Sequence, residues 1–195
     1  HLRDPLEEGD GGVAEVAVAG HDPAPGVGHL GLPGRAPQLF DRFGDVVGAR
    51  QVGLGEEPGV GVGRQAAAEF GVAVVIDCHS MPPPAKAHDI VLGDCYGEAA
   101  APELIGQTQK VLSGLGFSVA RNAPYAGGYT THLYGRPHEG VHAIQVEVSR
   151  ALYLDETLME KSAGFASCRD RLRAFAAKLL PEAGALLKTA RRAPR

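Results

Sequence analysis

Residues 1–64 contain no Ser, Thr, Asn, Lys, Ile, Tyr, Cys or Met, and the whole 195-residue chain has no Trp. Ordinary loops draw on Ser, Thr and Asn, whose side chains bond to nearby backbone. A segment without any of them is not a normal loop-rich domain. Instead it concentrates 15 of the 27 glycines and 6 of the 14 prolines. Its alphabet is largely the one that GC-rich codons supply. A low-complexity leader would have this composition. Translation in a wrong frame or from a misplaced start would have it too, and is the expectation here. An intact reading frame through the segment, with the matching peptides detected, would contradict that. Residues 53–63 hold no sustained period of 2 or 3.6, so no secondary structure is expected there. The run Gly59-Val60-Gly61-Val62-Gly63 has the look of a nucleotide-binding loop but follows no convincing strand.

Other absences exclude whole classes of function. A net charge of -4 leaves no basic excess to displace counterions from nucleic acid. The basic end, Arg191-Arg192-Ala193-Pro194-Arg195, is short and reads as a solvated tail. No apolar run approaches the ~20 residues of a membrane helix, and no signal-peptide order opens the chain. The three cysteines, Cys78, Cys95 and Cys168, are odd in number and widely spaced, so no disulfide framework is expected. The expected location is the cytoplasm.

From residue 65 the character changes, and 65–195 is expected to be part of one α/β domain. Residues 72–76 are apolar and β-branched, as in a strand buried on both faces. Residues 89–93, 117–120 and 143–148 read as further strands. Leu104, Ile105, Thr108, Val111, Leu112 and Leu115 share a helical face, with Pro102 in the first turn. Phe165, Cys168, Leu172, Phe175 and Leu179 mark a second amphipathic helix. Alternating strands and helices indicate a mainly parallel or mixed sheet flanked by helices. Ligands in such sheets sit beyond the carboxyl ends of strands.

Three polar groups end or follow strands. Asp77-Cys78-His79-Ser80 closes the strongest one. His79 is a candidate metal ligand, although one His makes no zinc site, which takes three protein ligands and an open position. A hydrogen-bonded structural His is the plain alternative. Cys78 and His79 point to opposite faces of a strand, so Cys78 reads as a small core residue rather than as a nucleophile. Glu147 sits among apolar residues, where an unpaired carboxylate is expensive. It is either a general base or half of a salt bridge with an Arg such as Arg150. Arg121-Asn122 precedes Pro124-Tyr125-Ala126-Gly127-Gly128-Tyr129-Thr130-Thr131. A guanidinium fork there could grip a carboxylate, with Arg136 as a second cation, or could simply belong to a surface turn. His132, His138 and His142 lie in or near this loop; a local metal site there is conceivable, but their spacing is too irregular for a metal clip, and they read as loop residues.

Four ordered motifs resemble the N-formylglutamate amidohydrolases. They are Asp77-Cys78-His79-Ser80-Met81-Pro82, Asp89-Ile90-Val91-Leu92-Gly93-Asp94, Ala120-Arg121-Asn122-Ala123-Pro124-Tyr125-Ala126-Gly127-Gly128 and Gln145-Val146-Glu147-Val148-Ser149-Arg150-Ala151-Leu152-Tyr153. The match runs over roughly residues 65–180. This resemblance implies a fold like zinc carboxypeptidases and aspartoacylase. It implies zinc-dependent hydrolysis of N-formyl-L-glutamate to formate and glutamate, a late step of histidine breakdown. It makes His79 the third zinc ligand and Glu147 the general base and proton shuttle. Arg121 and Asn122 become the substrate-binding pair, with the Tyr125 to Thr130 loop, Tyr129 and Thr130 included, closing over the glutamate moiety of an acyl-amino acid. The family's first two zinc ligands lie in an N-terminal motif like Pro-His-Ser-Gly, which this chain lacks, and His21 and His29 sit in no matching context. The alternative is therefore a truncated, inactive relative that at most binds acyl-amino acids. A different acyl group on the same scaffold is a further expectation.

Overall fold

The computed structural model of the chain describes residues 15–20, 59–83 and 88–192. Strand β1 (Glu15–Gly20) is followed by helix α1 (Gly59–Phe70), β2 (Ala73–Met81) and β3 (Ile90–Gly93). Then come α2 (Pro102–Gly114), β4 (Val119–Arg121), α3 (Tyr129–Tyr134) and β5 (Val141–Ser149). Two short strands, β6 (Leu154–Asp155) and β7 (Glu160–Lys161), precede the long α4 (Phe165–Arg192). Five strands form one sheet in the order β1-β2-β5-β3-β4. The β1–β2, β2–β5 and β3–β4 pairs are parallel, and β3 runs antiparallel to β5. The α/β class with a mainly parallel sheet is thus the observed one.

Strand alternation divides the sheet into two faces of unlike chemistry. On one face Val74, Ile76 and Cys78 of β2 join Ile90 and Leu92 of β3 and Ile144, Val146 and Val148 of β5. They pack on Leu104, Ile105 and Leu112 of α2 and on Cys168, Leu172, Phe175 and Leu179 of α4. The stripe continues through Ala183 and Leu187, so α4 still has an apolar face to bury beyond Pro181. On the other face Ala73 and Val141 meet Ala66 and Ala67 of α1. Beside them Val75 and Ala143 meet Ala99 and Tyr134. Two residues further along each strand, the same face becomes polar.

Several local expectations change. Residues 59–63 are the start of α1 rather than irregular. Glycine weakens a helix by about 0.5–1 kcal/mol relative to Ala, so this turn draws little support from its own sequence. Tertiary packing supplies it: a Cβ on Gly63 would lie 3.1 Å from Val141 Cγ1. Strand β2 does not stop at Ile76 but continues to Met81, because β5 pairs with it through Met81↔Ser149. Asp77 and His79 therefore lie inside the strand. His142 is no loop residue; it is buried in β5 and its Nδ1 accepts the backbone N–H of Ala101, the cap of α2. Of the anomalous 1–64 segment, residues 1–14 and 21–58 lie outside the described residues. No helix among the described residues is long and apolar enough to cross a membrane.

Gly93 fixes how the 126–128 segment sits on β3. A Cβ at this position would lie 2.5 Å from Gly127 N and 2.7 Å from Ala126 C. Backbone cannot give way as a flexible side chain can, so Gly93→Ala should destabilise by about 1–3 kcal/mol. The denaturant midpoint measures it, and an unchanged midpoint would contradict this packing.

Candidate active site

The parallel β2–β5 register sets two pairs of polar residues side by side, Asp77↔Gln145 and His79↔Glu147. All four belong to the face opposite Cys78 and Val146. Cys78 is buried in the apolar core, and burial pushes its thiol pKa up. It has no part in a thiol–imidazole pair. Asp77 is only 1% exposed. Its Oδ1 lies 2.9 Å from His79 Nε2, yet neither carboxylate oxygen nor that nitrogen makes an aligned hydrogen bond. The contact therefore lacks good hydrogen-bond geometry and is an ion pair only when the imidazole is protonated. Buried polar atoms without partners are rare and call for an explanation. The polar contact with Asp77 raises the His79 pKa most; burial opposes it, and the fields of Asp77 and Glu147 reinforce it.

Glu147 is 6% exposed, and burial pushes its pKa up, against the lowering effects of His79 and of a hydrogen bond from Gln145. That bond runs from Gln145 Nε2 to Glu147 Oε1 at 2.5 Å. The other end of the same amide, Gln145 Oε1, accepts the backbone N–H of Gly128. Glu147 therefore has no salt bridge with Arg150, which pairs with Glu156 at 2.7 Å. A carboxylate whose pKa is raised by burial and which neighbours an imidazole is a candidate proton-transfer group.

Arg121 and Asn122 form a second cluster. Arg121 is the last residue of β4, in register with Leu92 and thus in the row of Val146, not in that of Glu147. Its Nη2 donates to Asp94 Oδ2 at 3.0 Å, and Asn122 Nδ2 donates to Asp94 Oδ1 at 2.6 Å. Asp94 is fully buried, so its charge is compensated by this pair. Tyr129 and Thr130 do not lie in a loop; they open α3, and the Tyr129 side chain is 80% exposed. Arg136 donates to the carbonyls of His132 and Gly135. It lines a cleft of about 330 Å³ with Cys95, Glu98, His132 and His138. None of Asp77, His79, Gln145 or Glu147 lines that cleft. The structure thus joins His79 to Glu147 and Arg121 to Asn122, and sets Arg136 apart from both. Gln145 and Asp94, the residues that hold these pairs, lie within the four motifs, but residue type and local context give them no role.

A catalytic zinc takes three protein ligands. Among the described residues no group of three or more His, Cys, Asp and Glu side chains is arranged to hold a metal. His79 alone matches the implied donor set, so these residues do not fit a complete zinc site.

A family model described as N-formylglutamate amidohydrolase matches residues 62–154. The segment 62–154 thus resembles the N-formylglutamate amidohydrolase family. It contains every member of both polar clusters. The N-formylglutamate deformylase of Pseudomonas aeruginosa is 33% identical over 100 residues, covering 46% of this chain and 36% of that protein. The N-formylglutamate deformylase of Pseudomonas putida is 32% identical over 96 residues, with the same coverage of 46% and 36%. The crystal structure of the N-formylglutamate amidohydrolase from Ralstonia eutropha JMP134 superposes with a TM-score of 0.56 at 30% identity. That match covers 65% of this chain and 47% of the solved one. The chain spans about a third of the length of the curated relatives it matches.

The Asp77–His79 contact makes a direct prediction. Asp77→Asn removes the charge that stabilises the imidazolium and leaves burial, which favours the neutral ring. The His79 pKa should fall toward or below its ordinary 6.5. Following the imidazole resonances with pH measures it; an unchanged or higher value would contradict the contact.

Proposed function

We propose that this chain carries the proton-transfer half of an amidohydrolase that cleaves N-formyl-L-glutamate to formate and L-glutamate, as in the breakdown of histidine. The observation that carries the reading is Glu147, buried on the polar face opposite His79 with its pKa pushed up by desolvation. The family match over the same segment supports the substrate class. In this reading the ionised Glu147 takes a proton from water as the water oxygen bonds to the formyl carbon. It then gives that proton to the amine nitrogen as the C–N bond breaks, and the carboxyl ends ready for another cycle. Arg121, whose Nη2 is held at Asp94, would present the rest of its guanidinium to a substrate carboxylate at the carboxyl end of β4, since its row faces away from that of Glu147.

Zinc belongs to the proposal only through His79, the one ligand that the described residues would contribute. The remaining ligands would have to come from outside them, and no step here runs through a metal. The incomplete donor set favours one second reading, a relative that binds acyl-amino acids without turning them over.

Formate release from N-formyl-L-glutamate separates the two. Glu147→Gln should lower kcat/KM by about 10²- to 10⁴-fold while the fold is retained. The sign of the stability effect follows from the raised pKa. A group whose folded pKa exceeds its unfolded value contributes stability below the unfolded pKa and loses it as pH rises through the folded one. Above its raised folded pKa the ionised Glu147 is therefore a burden, and there the variant's Tm should match or exceed that of the parent chain. Parent-level turnover in the variant would overturn the role of Glu147. Absence of formate release from the folded parent would leave the binding reading.

A further inference from the structure

We infer that Gln145 is a positioning residue that ties the glycine pair Gly127-Gly128 to Glu147 and thereby decides which carboxylate oxygen handles the proton. The inference rests on the reading of Glu147 as the proton-transfer group. Gln145 is buried in the middle of the polar face, between a backbone donor and a carboxylate. The backbone N–H of Gly128 can only donate and an ionised carboxylate can only accept. The amide must therefore turn its oxygen to Gly128 and its NH₂ to Glu147, as observed. A flipped amide would set NH₂ against N–H and C=O against carboxylate. No other side chain of this length offers one donor end and one acceptor end. Glutamate would satisfy Gly128 alone, and a thioether neither partner.

The backbone around it is held in place. Gly127 has φ +124 and its Cβ would lie 2.8 Å from Cys95 Sγ, so this position takes only glycine. Cys95 N donates in turn to Ala126 O at 2.7 Å. A Cβ on Gly128 would come within 3.2 Å of Gln145 Oε1. The glycine pair thus lies where its N–H reaches the amide and no side chain intervenes. With Oε1 of Glu147 occupied by Gln145 Nε2, Oε2 is the oxygen left to exchange a proton with water and amine. Placement of the glycine pair and orientation of the carboxylate are then one variable.

The test compares the full 195-residue chain with Gln145→Met, Gln145→Glu and Gly128→Ala. It reads kcat and KM for N-formyl-L-glutamate, and hydrogen exchange at the Gly128 amide by NMR. Gln145→Met should lower kcat about 10- to 100-fold, the worth of a hydrogen bond to a charged group, with KM within about 3-fold. It should also speed Gly128 exchange about tenfold. Gln145→Glu should lose kcat similarly while keeping Gly128 protected, because only the donor end is gone. Gly128→Ala, which crowds Oε1, should lower kcat in a chain whose melting transition is intact, and it decides the matter if Gln145→Met does not fold. Unchanged kcat in the folded Gln145 variants, or Gly128 exchange that ignores Gln145→Met, would overturn the inference. A parent chain that releases no formate would sink the deformylation reading instead. The exchange contrast between the Met and Glu variants would then still decide whether Gln145 couples the two groups.

Discussion

The parallel register between β2 and β5 is the constraint on which everything else in the site depends. Because successive side chains alternate and the two strands run the same way, Asp77 and His79 face Gln145 and Glu147 across one strand spacing, ~4.8 Å. A shift of one residue would carry this whole row into the apolar core beneath α2 and α4. The core face therefore holds the register through Ile76, Cys78, Ile144 and Val146. The polar face inherits its geometry from that packing. Ionisable groups so placed lose hydration and gain one another's fields, and this is why both His79 and Glu147 titrate away from their ordinary values.

The second cluster is built by a different means. Cys95, Tyr96 and Asn122 all have positive φ although none is glycine, an arrangement that costs of order 1–3 kcal/mol per residue. The buried Asp94 offsets this. Its carboxylate accepts from Arg121 and Asn122, its N–H donates to Asn122 Oδ1, and its carbonyl accepts from Gly97 and Ala99. Asn122 N–H also donates to Leu92 O at 2.8 Å. Strained backbone held by a dense set of hydrogen bonds fixes Arg121 at the end of β4. From there the chain passes over Gly93 to the glycine pair, so the two clusters communicate through backbone rather than through side-chain contact.

Much of the fold was legible because its signals are local. The β-branched run before Asp77, the alternation in β5 and the apolar stripes of α2 and α4 each announce an element without help from elsewhere. What was not legible depends on contacts between distant residues. The reach of β2 to Met81 needs β5, and the helix at Gly59 needs Val141. The opening of α3 at Tyr129 needs the glycine pair lodged against β3. The site shows the same division. Residue type and strand context single out His79 and Glu147 as candidates, and the β2–β5 register sets them side by side. Gln145 lay in plain view two positions from Glu147, but its role arises from Gly128, and no local pattern signals that. Asp94 ends a motif, yet only the three-dimensional return of β4 explains a fully buried carboxylate there. Arg136 looked like a partner for Arg121, whereas the structure turns it into a different cleft with His132 and His138.

The central claim is that the polar face of β2–β5 is catalytic and that desolvated Glu147 works there as an ionised base. The pH dependence of kcat/KM for formate release tests it most directly, since that profile reports groups of the free enzyme. The account predicts an acid limb above the ordinary glutamate value of 4.5, displaced in the direction that burial dictates. A limb at or below that value, or activity independent of pH through this range, would contradict it.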